Sequence, residues 1–176
     1  ARVDLNLGNV HKARGDAEKA LEHLKRVTSV LPVDDPIQPH ALNAVGECLY
    51  VLDDHKGADE AFVKAAARLG KNGGLAGGII GGNRADVAAR EGRLQDAIDL
   101  FRDAREVLEA HSAHGHSARL RVEMAEALEH SGLHAEALVD LEEAIPLLLE
   151  HGLPFEAARG RFAAGRIYLR NRRYDQ

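Results

Sequence analysis

The chain has 176 residues, 45% of them hydrophobic and 29% charged, with 4% aromatic and no Trp, a composition that excludes disorder and favours a thin core of Ala, Leu, Val and Ile. A formal net charge of −5 argues against a general nucleic-acid or acidic-membrane surface, which needs a basic excess. A single cysteine, Cys48, leaves no internal disulfide framework, and no apolar run approaches the roughly 20 residues of a membrane span. Cytoplasm is the expected compartment. The chain opens on Ala1 and closes where a new helix should begin, which marks it as an excerpt of a longer protein, and the excess of Arg over Lys points to a bacterial source.

From Asp4 to Pro32 the spacing predicts two amphipathic helices, with apolar or small residues at Leu7, Gly8 and His11 and then at Ala17, Ala20, Leu24, Val27 and Leu31. Gly15 breaks them, Asp16 caps the second and Pro32 stops it. Gly8 on one helix and Ala20 on the other should let the two backbones approach closely. In the next stretch Asp35 reads as an N-cap, with Pro36 at the first helical position and Gln38 reaching back. The first pattern then returns in register: Val45-Gly46, Leu49, Asp53, Ala58, Phe62 and Ala65; next Arg84-Ala85, Ala88, Gly92, Ala97, Phe101 and Ala104; next Met124-Ala125, Leu128, Gly132, Ala137, Leu141 and Ala144; and last Ala164-Gly165, Tyr168, Arg172 and Tyr174. The small column stands at positions 8, 46, 85, 125 and 165, steps of 38 to 40 residues.

These small residues, the turn glycine and the closing proline resemble the tetratricopeptide repeat, whose standard period is 34 residues. Ala1, Asn6, Leu7, Gly8, Asn9, Gly15, Asp16, Ala20 and Pro32 fit its consensus, whereas Asp4, His11 and Leu24 stand where aromatics are usual. The longer period is similar to that of kinesin light chains, spindle-orientation adaptors and bacterial ATPase-type transcription activators. The resemblance implies an all-α, right-handed superhelical solenoid of about nine helices in antiparallel hairpins, with repeats over 1–34, 39–72, 78–113, 118–151 and a half repeat at 158–176. It also implies a concave surface lined by the first helix of each repeat. The residues that fall there are Asn9 and Lys12; His40, Asn43, Glu47 and Tyr50; Asn83, Asp86 and Arg90; Glu126 and His130; Arg166 and Arg170. As a set they are the expected contacts for a protein or peptide segment. The family's clamp for a terminal carboxylate is not implied, because Leu5, Ile79 and Asn83 occupy the positions of its basic groups.

Two stretches depart from the pattern. Gly70, Gly73, Gly74, Gly77, Gly78, Gly81 and Gly82 crowd the start of the third repeat, either as a connector leading into a close-packing stripe or as a hinge or widened pocket. No Lys-Ser/Thr follows and no strand precedes, so phosphate binding is not expected there. Pro146 falls inside a predicted helix from Ala135 to Glu150 and should kink it by removing the amide that would bond Glu142.

The ten histidines include His111, His114 and His116, in a connector without a nearby Cys or a carboxylate in fixed register. This reads as a solvated turn, and neither a metal nor another cofactor is expected. His130 and His134 flank a turn, His11 should be packed and hydrogen-bonded inside its hairpin, and Cys48 should be a small buried hydrophobe. No nucleophile–base or paired-carboxylate spacing recurs. Arg159, Arg161, Arg166, Arg170, Arg172 and Arg173 should complement Glu123, Glu126 and Glu129 of the preceding repeat. The expectation is therefore a non-catalytic scaffold or sensor domain of a larger bacterial regulator, with end-to-end self-association through the last helix as an added contact. The alternative is a metal- or small-molecule-dependent enzyme segment using the histidines or the glycine-rich stretch.

Overall fold

A computed structural model describes residues 1–70 and 73–174, with side chains as far as Asn171. Arg172, Arg173 and Tyr174, which the sequence assigns to the fifth unit, therefore have side chains outside the described residues. Among the described residues the chain is all helical: α1 (Arg2–Ala13), α2 (Ala17–Val30), α3 (Gln38–Val51), α4 (His55–Leu69), α5 (Gly74–Arg90), α6 (Leu94–Ala110), α7 (His114–His130), α8 (His134–Glu150) and α9 (Pro154–Tyr174). None of them is long and apolar enough to cross a membrane.

Among the described residues one turn occurs six times and sets the antiparallel stacking. Gly15, Asp53, Gly92, Ser112, Gly132 and Gly152 each take a positive φ, between 56° and 80°. In each case the amide of the following residue bonds back five positions, as in Asp16 N to His11 O, Asp54 N to Leu49 O and Arg93 N to Ala88 O. This is the Schellman arrangement, which satisfies carbonyls orphaned at a helix end. The sequence points to the turns at 15, 53, 92 and 132. Ser112 and Gly152 add the same device between successive hairpins.

Asp16 caps α2 as expected, accepting from the Lys19 amide at 3.3 Å. The start of α3 differs. Asp35 accepts from the Ile37 amide at 2.8 Å, but the helix begins only at Gln38, with Pro39 next. The buried Gln38 side chain instead donates to the Thr28 and Leu31 carbonyls of the preceding hairpin at 3.0 and 2.9 Å. α7, by contrast, begins early, at His114, so His114, Gly115 and His116 belong to its first turn rather than to a connector.

Packing is distributed along the array rather than gathered in one core. Leu24 sits with Ala44, Val45 and Cys48; Phe62 and Ala65 with Ile80 and Val87; Phe101 and Leu108 with Ala85, Ala88 and Leu120; Leu141 and Leu148 with Val122, Ala125 and Ile167. Each cluster is shared by consecutive hairpins, the nearest-neighbour logic of a helical solenoid. The small residues decide the spacing. A Cβ on Gly8 would lie 2.8 Å from Leu24 Cγ, one on Gly46 2.6 Å from Phe62 Cδ1, and one on Gly82 2.5 Å from Leu120 Cδ2. In the glycine-rich stretch, Gly78 and Gly82 are buried against Leu108 and Leu120, while Gly77 meets nothing within 4 Å. α8 passes through Pro146 as one continuous helix.

Candidate functional site

The odd-numbered helices form one face, since α3, α5, α7 and α9 also touch each other in succession. A chain of polar contacts crosses it. Lys12 of α1 pairs with Glu47 of α3 at 2.5 Å. Asn43 donates to the same carboxylate at 2.7 Å, and Asn83 of α5 donates to Asn43 Oδ1 at 2.9 Å. About two turns further along, Arg90 Nε donates to the Tyr50 hydroxyl at 3.0 Å, and the guanidinium lies 5.8 Å from the Tyr50 ring centroid. Beside this ladder run two adjoining hollows of roughly 340 Å³ each, which share Glu47 and Ile79. His40 and Asn43 border one; Arg119, His116 and Glu156 border the other.

Across α7 and α9 the contacts become ionic. Arg159 forks onto Glu126 at 2.9 and 2.5 Å. Arg166 donates at 2.5 Å to Glu129, which is 2% exposed, and Arg170 stands 3.5 Å from it. The expected complementarity between the last helix and the acidic residues of α7 is thus present for Arg159, Arg166 and Arg170; Arg161 is exposed.

Asp86 lies at the centre of the face, half-buried. Burial, then repulsion from Glu123, pushes its carboxyl up to about 8, against the opposing pull of Arg159 and Arg119. Glu123 is itself raised by burial despite the same two arginines. Burial likewise raises the Tyr50 hydroxyl and the Cys48 thiol, the latter packed as the sequence suggests.

Of the residues singled out by the sequence, Lys12, Asn43, Glu47 and Asn83 share one network, Tyr50 and Arg90 share a second, and Glu126, Arg166 and Arg170 join α7 to α9. His40 is exposed at the rim, and Asn9 is exposed. His130 turns away to its own helix, its Nδ1 2.6 Å from the Glu126 carbonyl. Sequence reasoning paired Arg159 with Glu123 and Glu129 without placing them on the concave face, and it left Arg119 out altogether. The signal was available in the spacing of three between Glu123, Glu126 and Glu129, which places them on one side of α7.

The histidines disperse among separate neighbours. His11 stacks on His23, with ring centroids 5.6 Å apart and planes within 7°, and its Nδ1 is 3.6 Å from Asp16. His111 bonds the Val107 carbonyl, His114 stacks on His151, and His134 meets Asn171.

Residues 5–73 match the model of the family described as tetratricopeptide repeat. No curated protein matches the sequence. Among solved structures, the chain is similar to a kinesin light chain-like protein of Podospora anserina with nearly identical repeats of this type, at 18% identity and TM-score 0.68, over 94% of this chain and 87% of that one. It is similar to a thermophilic repeat protein of Thermus thermophilus at 21% identity and TM-score 0.63, over 93% and 89%. It is also similar to the Rap conjugation gene regulator of plasmid pLS20 in complex with the Phr* peptide, at 18% identity and TM-score 0.72, over 98% of this chain and about half of that one, 53%.

Proposed function

We propose that this chain, a tetratricopeptide repeat protein by its matched segment and by its fold, is a non-catalytic scaffold that holds an extended peptide segment of a partner protein across the odd-helix face. The observation that carries the reading is the polar ladder from Lys12 to Asn83, running beside hollows floored by Ile79. Amides and carboxylates in line with an apolar floor suit a peptide backbone with alternate side chains buried. The Rap regulator, solved with a peptide bound, has the same fold. We further read the chain as the sensing or scaffolding part of a larger bacterial, cytoplasmic regulator, in line with its Arg-rich, Ala- and Gly-rich composition.

End-to-end self-association is a second contact, favoured by Phe155, Phe162 and Leu169 of α9, each at least two-thirds exposed. The test of the main reading replaces Asn43 and Tyr50 together with Ala and measures the affinity of partners recovered by pull-down. At least a tenfold loss is expected if each lost side chain contributes about 1 kcal/mol. Unchanged affinity for every partner removes the assignment of this face.

A further inference from the structure

The polar ladder has a direction. The Glu47 carboxylate, held by Lys12 at 2.5 Å, can only accept, so Asn43 must turn its amide nitrogen to Glu47 Oε1, 2.7 Å away. That leaves Asn43 Oδ1 as the acceptor for Asn83 Nδ2 of α5, which donates to it at 2.9 Å. Each amide is oriented by the one before it. The ladder therefore ends on Asn83 Oδ1, an acceptor to which nothing donates among the described residues. Asn83 borders one of the hollows of roughly 340 Å³, and Arg119 borders the same hollow from α7. Arg119 is a donor without a bond. Glu123 Oε1 stands 3.5 Å from its Nη1, which offsets its charge without a good hydrogen bond, and its Nε is buried without a partner. Its side chain is nevertheless 32% exposed, so a ligand can reach it. By contrast Arg90, Arg159 and Arg166 of this face all donate to partners within the chain.

We propose that this hollow is a subsite for a side-chain carboxamide, a glutamine or asparagine of the bound peptide segment, whose NH2 group donates to Asn83 Oδ1 while its carbonyl accepts from the Arg119 guanidinium. This rests on the reading of the odd-helix face as a peptide groove and adds the chemistry of one of its side-chain positions. A carboxamide carries donor and acceptor on one carbon and brings no charge. Charged side chains fit less well. A carboxylate would gain Arg119 but would share the hollow with the acceptors Asn83 Oδ1, Glu47 and Glu156. An ammonium would gain those acceptors but would share the hollow with the Arg119 cation. An apolar side chain would cover Asn83 Oδ1 and the guanidinium and leave both unbonded, which is costly. Ile79 and Leu153, also in the lining, offer contact to the methylenes of the entering residue.

The test uses the full chain and fluorescein-labelled, acetylated hexapeptide mixtures closed as N-methylamides, each with Gln, Asn, Glu, Lys or Met fixed at one position. Asn and Gln are left out of the other positions, so the fixed side chain is the sole primary carboxamide. Affinity is read by fluorescence anisotropy at neutral pH. At one position the Gln or Asn mixture should bind about tenfold more tightly than the Glu, Lys and Met mixtures, as expected for two ordinary hydrogen bonds. Asn83→Ala and Arg119→Met should each reduce the advantage over the Met mixture to below about threefold, with the Met mixture bound as before. Thermal melting checks the folding of both variants. Asn83→Ala carries the test alone if loss of Arg119 beside the buried Glu123 unfolds the chain. If at no position Gln or Asn outbinds Glu, Lys and Met, the subsite alone is overturned. A carboxamide advantage that survives either substitution in a folded variant overturns it too. Absence of binding by every mixture overturns the peptide-groove reading and the subsite with it.

Discussion

At the scale of single residues, glycines of one sequence column do different work. Gly46 faces the Phe62 ring, a rigid side chain only 1% exposed, and a Cβ there would overlap it. Gly8 faces the buried Leu24, whose Cγ would lie 2.8 Å from such a Cβ. Gly165 meets nothing within 4 Å. Gly46→Ala should therefore destabilise the chain by about 1–3 kcal/mol through overpacking. Gly165→Ala should stabilise it by up to about 1 kcal/mol, the helix-propensity gain of Ala over Gly. Urea melts of the two variants check both signs. If Gly46→Ala proves neutral, the close approach of α3 to α4 is not what fixes that glycine. The column itself was legible as a period, but not the contact each member makes, because that depends on which side chain the facing helix brings opposite.

Among the elements, α8 runs against a local rule. Pro146 has no amide to donate to the Glu142 carbonyl, yet the helix continues from His134 to Glu150. Leu141, Ala144 and Leu148 hold it from one side against α7 and α9, while Pro146 itself is exposed. Tertiary packing thus outweighs a propensity penalty of about 3 kcal/mol. Pro146→Ala should raise stability by about 1–3 kcal/mol with no change in helical content beyond the restored bond, measured by thermal melting and circular dichroism. An unstable variant would mean that a bend at this proline is required by the packing of α9. The helices and most of their turns could be read from period and glycine, but two starts could not. α3 begins late, where Gln38 reaches back to the Thr28 carbonyl of α2, a contact ten residues back in the chain. α7 begins early because Gly115 lies close to His151 and Leu153 rather than breaking the helix.

For the whole molecule, the ladder joins residues one period apart, Asn43 to Asn83 and Tyr50 to Arg90, so the second hairpin is clipped to the third by polar groups on one face and apolar groups within. That face could be read from the repeat. The crowding of Asp86 could not, since it arises where α3, α7 and α9 converge on α5. It has a consequence for stability. In the unfolded chain Asp86 loses its proton near pH 4, whereas in the fold it keeps it to about pH 8. Between these values the folded state binds more protons, so stability falls as pH rises, by at most about 1.4 kcal/mol per pH unit, and levels off above pH 8. Below pH 4 both states are protonated and the effect vanishes. Asp86→Asn removes this slope. Its stability should match the wild type near pH 4 and exceed it increasingly toward pH 9, by about 2 kcal/mol or more, which is several degrees in Tm for a domain of this size. Melting curves for both proteins at unit steps from pH 4 to pH 9 decide the matter. Parallel curves across that range would show that Asp86 ionises normally and that its neighbours impose no electrostatic cost.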